Sequence, residues 1–187
     1  MPPAEKPDTD RWSTPAWVIA LARETMGGID LDPASHREAN EIVDALAYYT
    51  KSYDGLKHDW AGRIWCNPPY GKVAGVGQAG VGQAGVFLDK LIEEFAVDHA
   101  SEGLILTNVC TGSAWFRRMW DWPLCFFSER IRFVLDGGIP DSPRYDNVVA
   151  YVAPEARWDR FRAIFEPHGR IVLPARHGLA YRSAAVS

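Results

Sequence analysis

The sequence predicts one α/β domain built on a mostly parallel sheet. Short apolar runs alternate with longer amphipathic segments through the first half of the chain, which is the pattern of strands and helices in turn. The 187 residues suffice for one domain and hardly for two. Acidic or amide side chains follow three of the apolar runs, at the strand ends where such sheets bind ligands.

The N-terminal segment contains a tail and a first helix. Residues 1–11 are polar and proline-rich and are predicted to be disordered, so that the domain spans residues 12–187. The segment STPAWVIALARETMGG predicts a helix that a Gly-Gly pair ends. Ser13 or Thr14 can cap this helix, and Pro15 suits its first position.

The middle of the chain predicts a second helix, two strands and a flexible loop. IDLD is a short strand, HREANEIVDALAYY an amphipathic helix, and RIWC a strand that stops at an Asn-Pro-Pro-Tyr sequence. Residues 74–86 are predicted to be a flexible glycine-rich loop, in which GVGQA occurs at 75–79 and 80–84. The duplication is either neutral or part of a mobile flap whose Gln78 or Gln83 contacts a substrate.

The later segments predict alternating elements with an antiparallel end. VFLDKLIEEFAVDHA is a helix, GLILTNVC a strand, and SAWFRRMWDW a helix or turn. PLCFFSERIRFV holds one or two strands, YDNVVAYVAP a strand, EARWDRFRAIFEPHG a helix and RIVLPA a last strand. The later strands are predicted to pair as an antiparallel hairpin.

Charge and cysteine content limit the classes of function. Residues 1–129 carry a net charge of −7, whereas residues 130–187 carry +3 and only arginine as a cation. This charge argues against a general nucleic-acid coat protein, and arginine suits phosphate and base contacts. The three cysteines have neither a metal-binding spacing nor an even disulfide count, and no run is long and apolar enough for a membrane span. We therefore expect a cytoplasmic protein without a bound metal.

Polar side chains at the predicted strand ends indicate where a ligand binds. Asp30 and Asp32 belong to one strand, Asn67 follows a second and Asn108 ends a third. The carboxyl ends of parallel strands lie at one edge of a sheet, so these residues are expected to converge there.

The Asn67-Pro68-Pro69-Tyr70 sequence has the groups needed to hold a planar amine. The Asn67 amide oxygen and the Pro68 carbonyl can accept both hydrogens of such an amine, because neither proline has an N–H that competes for nearby acceptors. Tyr70 offers a face for stacking on the ring. Positioning and electrostatics then favour attack by the nitrogen without a covalent intermediate. A plain proline turn after a strand is the alternative interpretation.

These residues resemble those of a known family. The segments WSTPAWVIALARETMGGIDLDPAS, DGL and NPPYG, in this order and spacing, are similar to those of the phage-type DNA N6-adenine methyltransferase (Dam) family. The specific motifs cover residues 11–71, and the likeness extends more loosely to the strand at 147–153. The resemblance implies a Rossmann-like class I methyltransferase fold, with S-adenosyl-L-methionine as cofactor and double-stranded DNA as substrate. It also implies a phage or prophage protein in a bacterial host.

The resemblance assigns roles to individual residues. It implies that Asn67, Pro68, Pro69 and Tyr70 orient the target adenine, with Asn67 also close to the cofactor. The cofactor-binding residues that it implies are Trp12, Thr14 and Pro15 at the methionine end, Asp30, Asp32, Pro33, Ala34 and Ser35 in the first turn, and Asp54 at the adenine amine. Asp30 has an alternative role, since a strand interior can bury it in a hydrogen bond.

The cofactor half departs from a standard methyltransferase. Its first turn, DPASHREAN, has no glycine, although a glycine-rich turn lets the backbone approach the cofactor. Only 22 positions separate Asp32 from Asp54, so a strand that carries a ribose-binding acid is missing or shortened. Glu38 or Asn40 is the substitute that the sequence offers.

DNA contacts and alternative functions complete the sequence-based hypothesis. Base flipping requires cationic contacts with phosphates, for which the candidates are Arg117, Arg118, Arg130, Arg132 and Arg144. The same chemistry fits an RNA adenine or a protein glutamine as the target. A degenerate methyltransferase fold that binds a partner without turnover is the third hypothesis.

Overall fold

A computed structural model describes residues 12–69, 82–135 and 145–175. The strands are β1 Trp12–Ser13, β2 Leu31–Asp32, β3 Ala47–Tyr48, β4 Gly62–Cys66, β5 Ala100–Asn108, β6 Leu124–Phe127, β7 Val134–Leu135, β8 Asn147–Val152 and β9 Gly169–Val172. The α-helices are α1 Ala16–Met26, α2 Arg37–Val43, α3 Gln83–Ala96 and α4 Trp158–Phe165. The 3₁₀ helices of the described residues are Gly55–Lys57, Ala114–Asp121, Glu155–Arg157 and Glu166–His168.

Seven strands form the central sheet in the order β3-β2-β4-β5-β8-β6-β9. The first four of these run parallel to one another, as strands joined by crossover helices do. Strand β8 lies antiparallel between β5 and β6, and β9 is antiparallel to β6 at the edge. This arrangement confirms the predicted α/β fold with a parallel first half and an antiparallel C-terminal part. Strands β1 and β7 form a separate antiparallel pair.

Two apolar clusters cover the two faces of the sheet. One cluster joins α1 and α4 to one face, which we call the α1 face, and its strand residues are Trp65, Leu104, Leu106, Cys125, Val149 and Tyr151. The other joins α3 to the opposite face through Ile64, Cys66, Ile105, Leu124, Val148 and Ala150. Successive residues of a strand point to opposite faces, so these lists determine which side each neighbouring polar residue takes.

The second helix is shorter than the sequence predicts. It ends at Val43, because Asp44 adopts a left-handed conformation with φ 52°. The Arg23 guanidinium donates to the carbonyl oxygens of Val43 and Asp44, at 3.0 and 2.9 Å. The Asn40 amide bonds both the N–H and the carbonyl of Ala45. These contacts turn the chain into β3, so the end of the predicted helix is instead a short edge strand parallel to β2.

Helix α3 begins earlier than the predicted glycine-rich loop would allow. Gln83 is its first residue, so the last four residues of the loop predicted at 74–86 are helical. Gly85 lies against the ring of Trp115, where a Cβ would stand 2.7 Å from the Trp115 Cβ. Residues 74–81 and the predicted tail at 1–11 lie outside the described residues. None of the described helices is long and apolar enough to cross a bilayer.

Candidate active site

Three polar side chains meet one edge of the sheet. Asp32 ends β2, Asn67 follows the last residue of β4, and Asn108 ends β5, all at the carboxyl ends of neighbouring parallel strands. Asp32 and Asn67 point to the α1 face, because Leu31 and Cys66 beside them pack on the other face. Residues 27–30 join α1 to β2, so α1 starts at this same edge of the sheet.

The turn after β2 contains a buried carboxylate. Asp32 is 3% exposed, and the N–H of Ala34 donates to its Oδ1 over 3.1 Å. Burial raises the pKa of the Asp32 carboxyl to about 6, against the opposing effect of the bonds from Ala34 and the Ser35 side chain. No lysine or arginine of the described residues pairs with it. The carboxylate is therefore available to a cationic ligand.

The loop that carries Asp54 packs directly on this turn. The side chain of Asp54 caps a 3₁₀ helix by accepting from the N–H of Leu56 over 3.3 Å, and it pairs with Lys57. A Cβ at Gly55 would overlap the carbonyl oxygen of Pro33, so only glycine permits this approach. The indole N–H of buried Trp60 donates to the Gly55 carbonyl over 2.8 Å and holds the loop in place.

We expect Gly55→Ala to separate this loop from the turn after β2. Overpacking of this kind costs about 1–3 kcal/mol in the free energy of unfolding, which chemical denaturation measures. The substitution should also weaken the binding of any ligand that spans Asp32 and Asp54. Gly112→Ala is the matched control, because no atom lies within 4 Å of a Cβ there. Equal stability of the two variants would contradict the expected contact with Pro33.

The segment before α1 leads to the helix start at the same edge of the sheet. Thr14 is 3% exposed, and Pro15 is buried with its carbonyl accepting from the N–H of Val18 over 3.0 Å. The backbone of Trp12 pairs with that of Leu135 across β1 and β7. This pairing joins the Trp-x-Thr-Pro segment to the chain that follows the RIRF sequence.

The Asn-Pro-Pro sequence begins beside the buried carboxylate. Cys66 is fully buried, and this burial raises the pKa of its thiol well above the usual value. The negative charge of Asp32 is a smaller cause that acts in the same direction. Asn67 and Pro69 are half-buried and Pro68 is buried. Because β2 and β4 are neighbouring parallel strands, their carboxyl ends lie side by side. Tyr70 lies outside the described residues.

Asp30 lies just before β2 and beside the start of β4, at the end of these strands opposite to the one that carries Asn67. Its Oδ2 accepts from the backbone N–H and the Nε of Arg63, both at 2.8 Å, and its Oδ1 accepts from the Nη2 at 2.6 Å. The hydrogen bond from Arg63 is the largest influence on the Asp30 carboxyl and lowers its pKa. A Cβ at Gly62, at the start of β4, would meet this carboxylate. The alternative role of Asp30 as a hydrogen-bonded structural residue is therefore the one that the structure shows.

Comparison with known proteins shows the family. The model of the DNA N-6-adenine-methyltransferase (Dam) family matches residues 3–148, which is most of the chain. The chain belongs to the Dam family. A DNA N-6-adenine-methyltransferase of Haemophilus phage HP1 is 28% identical over 114 residues, which cover 60% of this chain and 57% of the phage protein. No solved structure matches the chain significantly.

The five arginines that the sequence suggests as candidates for DNA contacts differ in their surroundings. Arg117 and Arg132 are exposed, and no acidic side chain of the described residues pairs with them. Arg118 pairs with Asp89 at 2.5 Å, and Arg130 pairs with Asp146 at 2.8 Å. Arg144 lies outside the described residues.

The structure adds polar residues that the sequence hypothesis did not assign to the site. Asn147 begins β8 and donates from its Nδ2 to the Oδ1 of Asn108 over 3.1 Å. Its signal in the sequence is an amide residue before an apolar strand, a pattern common to surface turns. The Asn40 amide, a suggested ribose ligand, is bonded to Ala45, and Glu38 pairs with His36 at 3.1 Å.

Proposed function

We propose that this Dam-family protein transfers a methyl group from S-adenosyl-L-methionine to adenine N6 at specific sites in double-stranded DNA. One observation supports the proposal: buried Asp32 ends β2, and Asn67 and Pro68 follow the neighbouring parallel strand β4 at the same end of the sheet. The acceptor groups and the candidate cofactor-binding residues would thus lie within reach of one ligand pair. Phage origin of the relative supports a phage or prophage protein that acts in a bacterial cytoplasm.

The residues of the turn after β2 fit the amino-acid end of the cofactor. Asp32 is a buried carboxylate whose described donors, Ala34 N–H and the Ser35 side chain, are neutral, so an ammonium group would complete its pairing. The segment of Trp12, Thr14 and Pro15 would flank the same end from the opposite side. When bound, the cofactor supplies an electrophilic methyl group on a sulfonium centre.

The loop on the other side of this turn fits the nucleoside end. Asp54 lies next to Pro33 because the glycine after it packs on the Pro33 carbonyl. Its Oδ2, which pairs with the exposed Lys57 ammonium in this structure, would accept from the adenine amine of the cofactor in place of Lys57. Asp30 is not part of the proposal, since Arg63 occupies both of its oxygens.

The Asn-Pro-Pro-Tyr sequence would hold the target base. The Asn67 amide oxygen and the Pro68 carbonyl would each accept one N6 hydrogen, which directs the nitrogen lone pair at the methyl carbon. The bound cofactor would supply the methyl group for the new N–C bond, and the electrons of its C–S bond would stay on sulfur. The excess proton leaves N6 during or after attack, so that no strong base is required beforehand. Pro69 would stiffen the turn, and Tyr70 would stack on the ring.

The target base has to leave the duplex to reach these groups. Extrusion costs a few kcal/mol, which contacts between arginine and the phosphates offset. Arg117 and Arg132 are the best-placed described candidates, because both are exposed and need not release an acidic partner. Arg118, Arg130 and Arg144 complete the proposed set.

A labelling experiment tests the proposed function. We expect the protein to transfer label from S-adenosyl-L-methionine to unmethylated plasmid DNA, and nucleoside analysis should identify N6-methyladenine. Parallel reactions with RNA and with protein test the two other targets. Label in protein or RNA alone would refute the DNA proposal, and calorimetry that detects no cofactor binding would favour the degenerate, non-catalytic fold.

A further inference from the structure

Two further asparagine side chains lie at the same edge of the sheet as Asn67. Asn108 ends β5, Asn147 begins β8, and the antiparallel register places them directly opposite each other. The Nδ2 of Asn147 donates to the Oδ1 of Asn108 over 3.1 Å. The function proposed above assigns a role to neither residue.

The pair points to the same face of the sheet as Asn67. Leu106 and Val149, two positions away along β5 and β8, pack on the α1 face. Strand alternation therefore directs Asn108 and Asn147 to that face, where Asn67 also points.

The strand register gives the spacing between the two amide sites. Cys66 of β4 pairs with Ile105 of β5, so Asn67 stands level with the residue that follows Ile105. Asn108 is two residues further along, which separates the two Cα atoms by about 8 Å at the usual strand spacing and rise. A gap of this size accommodates one heteroaromatic ring between two short amide side chains.

The hydrogen bonding of the pair is incomplete. Asn147 is 2% exposed, and its buried Oδ1 has no hydrogen-bond partner among the described residues. Folded proteins leave few buried polar atoms in this state, and an ordered water is the usual partner of such an atom. Because Asn147 occupies the Oδ1 of Asn108, the Asn108 side chain presents its Nδ2 donor to the α1 face.

We propose that Asn108 donates from Nδ2 to the N1 atom of the flipped adenine, beside the N6 amine that Asn67 would hold. Asn147 acts as a positioning residue that keeps the Asn108 oxygen turned away from the base. Adenine accepts at N1 whereas guanine carries a hydrogen there, so this donor discriminates between the two purines. The inference deepens the proposed function and rests on it.

Base analogues that lack a single nitrogen test this contact. The substrates are duplex oligonucleotides with a sequence that the protein methylates in plasmid DNA, carrying adenine, 1-deazaadenine or 7-deazaadenine at the target. For the wild type, kcat/KM should fall about tenfold with 1-deazaadenine, the usual effect of one lost hydrogen bond. The 7-deaza base, which keeps N1, should react like adenine.

Variants of Asn108 separate this contact from a structural role. Asn108→Ala should lose about tenfold on adenine and show no further loss on 1-deazaadenine, as expected when both changes remove one interaction. Asn108→Asp should be inactive at neutral pH, where a carboxylate cannot donate, and its activity relative to the wild type at saturating cofactor should rise as the pH falls and the carboxyl becomes protonated. A purely structural role would give neither signature.

The possible failures are distinguishable. If Asn108→Ala keeps the wild-type ratio between adenine and 1-deazaadenine, the inference is wrong while methylation of adenine stands. If the wild type methylates no adenine in DNA, the proposed function fails and the inference fails with it. If Asn108→Ala does not fold, the pH profile of Asn108→Asp decides, and an unchanged profile overturns the inference.

Discussion

Asn67→Ala is expected to lower kcat for DNA methylation by about 10²–10³-fold, the typical effect of removing one preorganised group that stabilises a transition state. The variant keeps the Pro68 carbonyl, so one of the two proposed acceptors for the N6 amine remains. Its affinity for S-adenosyl-L-methionine should be largely kept, because the variant retains Asp32, the carboxylate proposed to pair with the cofactor ammonium. Rapid-quench kinetics with labelled cofactor and calorimetry measure the two quantities separately.

Asn40→Ala is the matched control for this substitution. Its amide bonds the backbone of Ala45 at the end of α2, far along the chain from the Asn-Pro-Pro sequence. Removing these bonds should reduce the free energy of unfolding by about 1–3 kcal/mol and leave kcat of the folded protein unchanged. If Asn67→Ala remains fully active, the proposed role of Asn67 is wrong. If both variants lose stability and activity in parallel, Asn67 is a structural residue.

Local sequence patterns were sufficient to predict the strands that form the site. The apolar runs before Asp32 and Asn67 and the start of α1 are read within a few residues, and all three lie at one edge of the sheet. They were predictable because strand periodicity and proline geometry depend only on neighbouring residues. The position of ligand sites in a parallel sheet follows from the order of its strands and helices. The predicted cap was wrong, because Pro15 is the N-cap of α1 and no side chain of the described residues caps the helix.

Other features depend on contacts between distant parts of the chain. The predicted second helix stops at Val43 because Arg23, on α1, bonds the carbonyls at its end. Asp30 and Asp32 have different surroundings because Arg63, which is 33 positions from Asp30 in sequence, binds the Asp30 carboxylate. The Asn108–Asn147 bond joins two strands 39 positions apart. A pattern within a short stretch of sequence does not reveal such contacts. Helix propensity alone therefore extends α2 beyond Val43, and proximity in sequence alone assigns Asp30 and Asp32 the same role.

A decrease of cofactor affinity below pH 6 is the second effect that we expect to be large. The free protein has to lose the Asp32 proton before the carboxylate can pair with the cofactor ammonium, and burial raises the pKa of this carboxyl to about 6. The pairing lowers that pKa in the complex. Affinity should therefore be constant above pH 6 and about tenfold lower at pH 5, with release of one proton on binding. Calorimetry from pH 5 to 8, in buffers of different ionisation enthalpy, measures both quantities.

Two aspartate substitutions, two positions apart, isolate this effect. Asp32→Asn should bind the cofactor weakly and with no pH dependence. The same variant should be more stable at pH 7, because a carboxyl whose pKa is raised by folding destabilises the folded protein once pH exceeds that pKa. Asp30→Asn should show the reverse, since Arg63 lowers the Asp30 pKa and the pair stabilises the fold: it should lose stability and keep the pH-dependent affinity. Retention of pH dependence by Asp32→Asn would exclude Asp32 as the group that binds the ammonium.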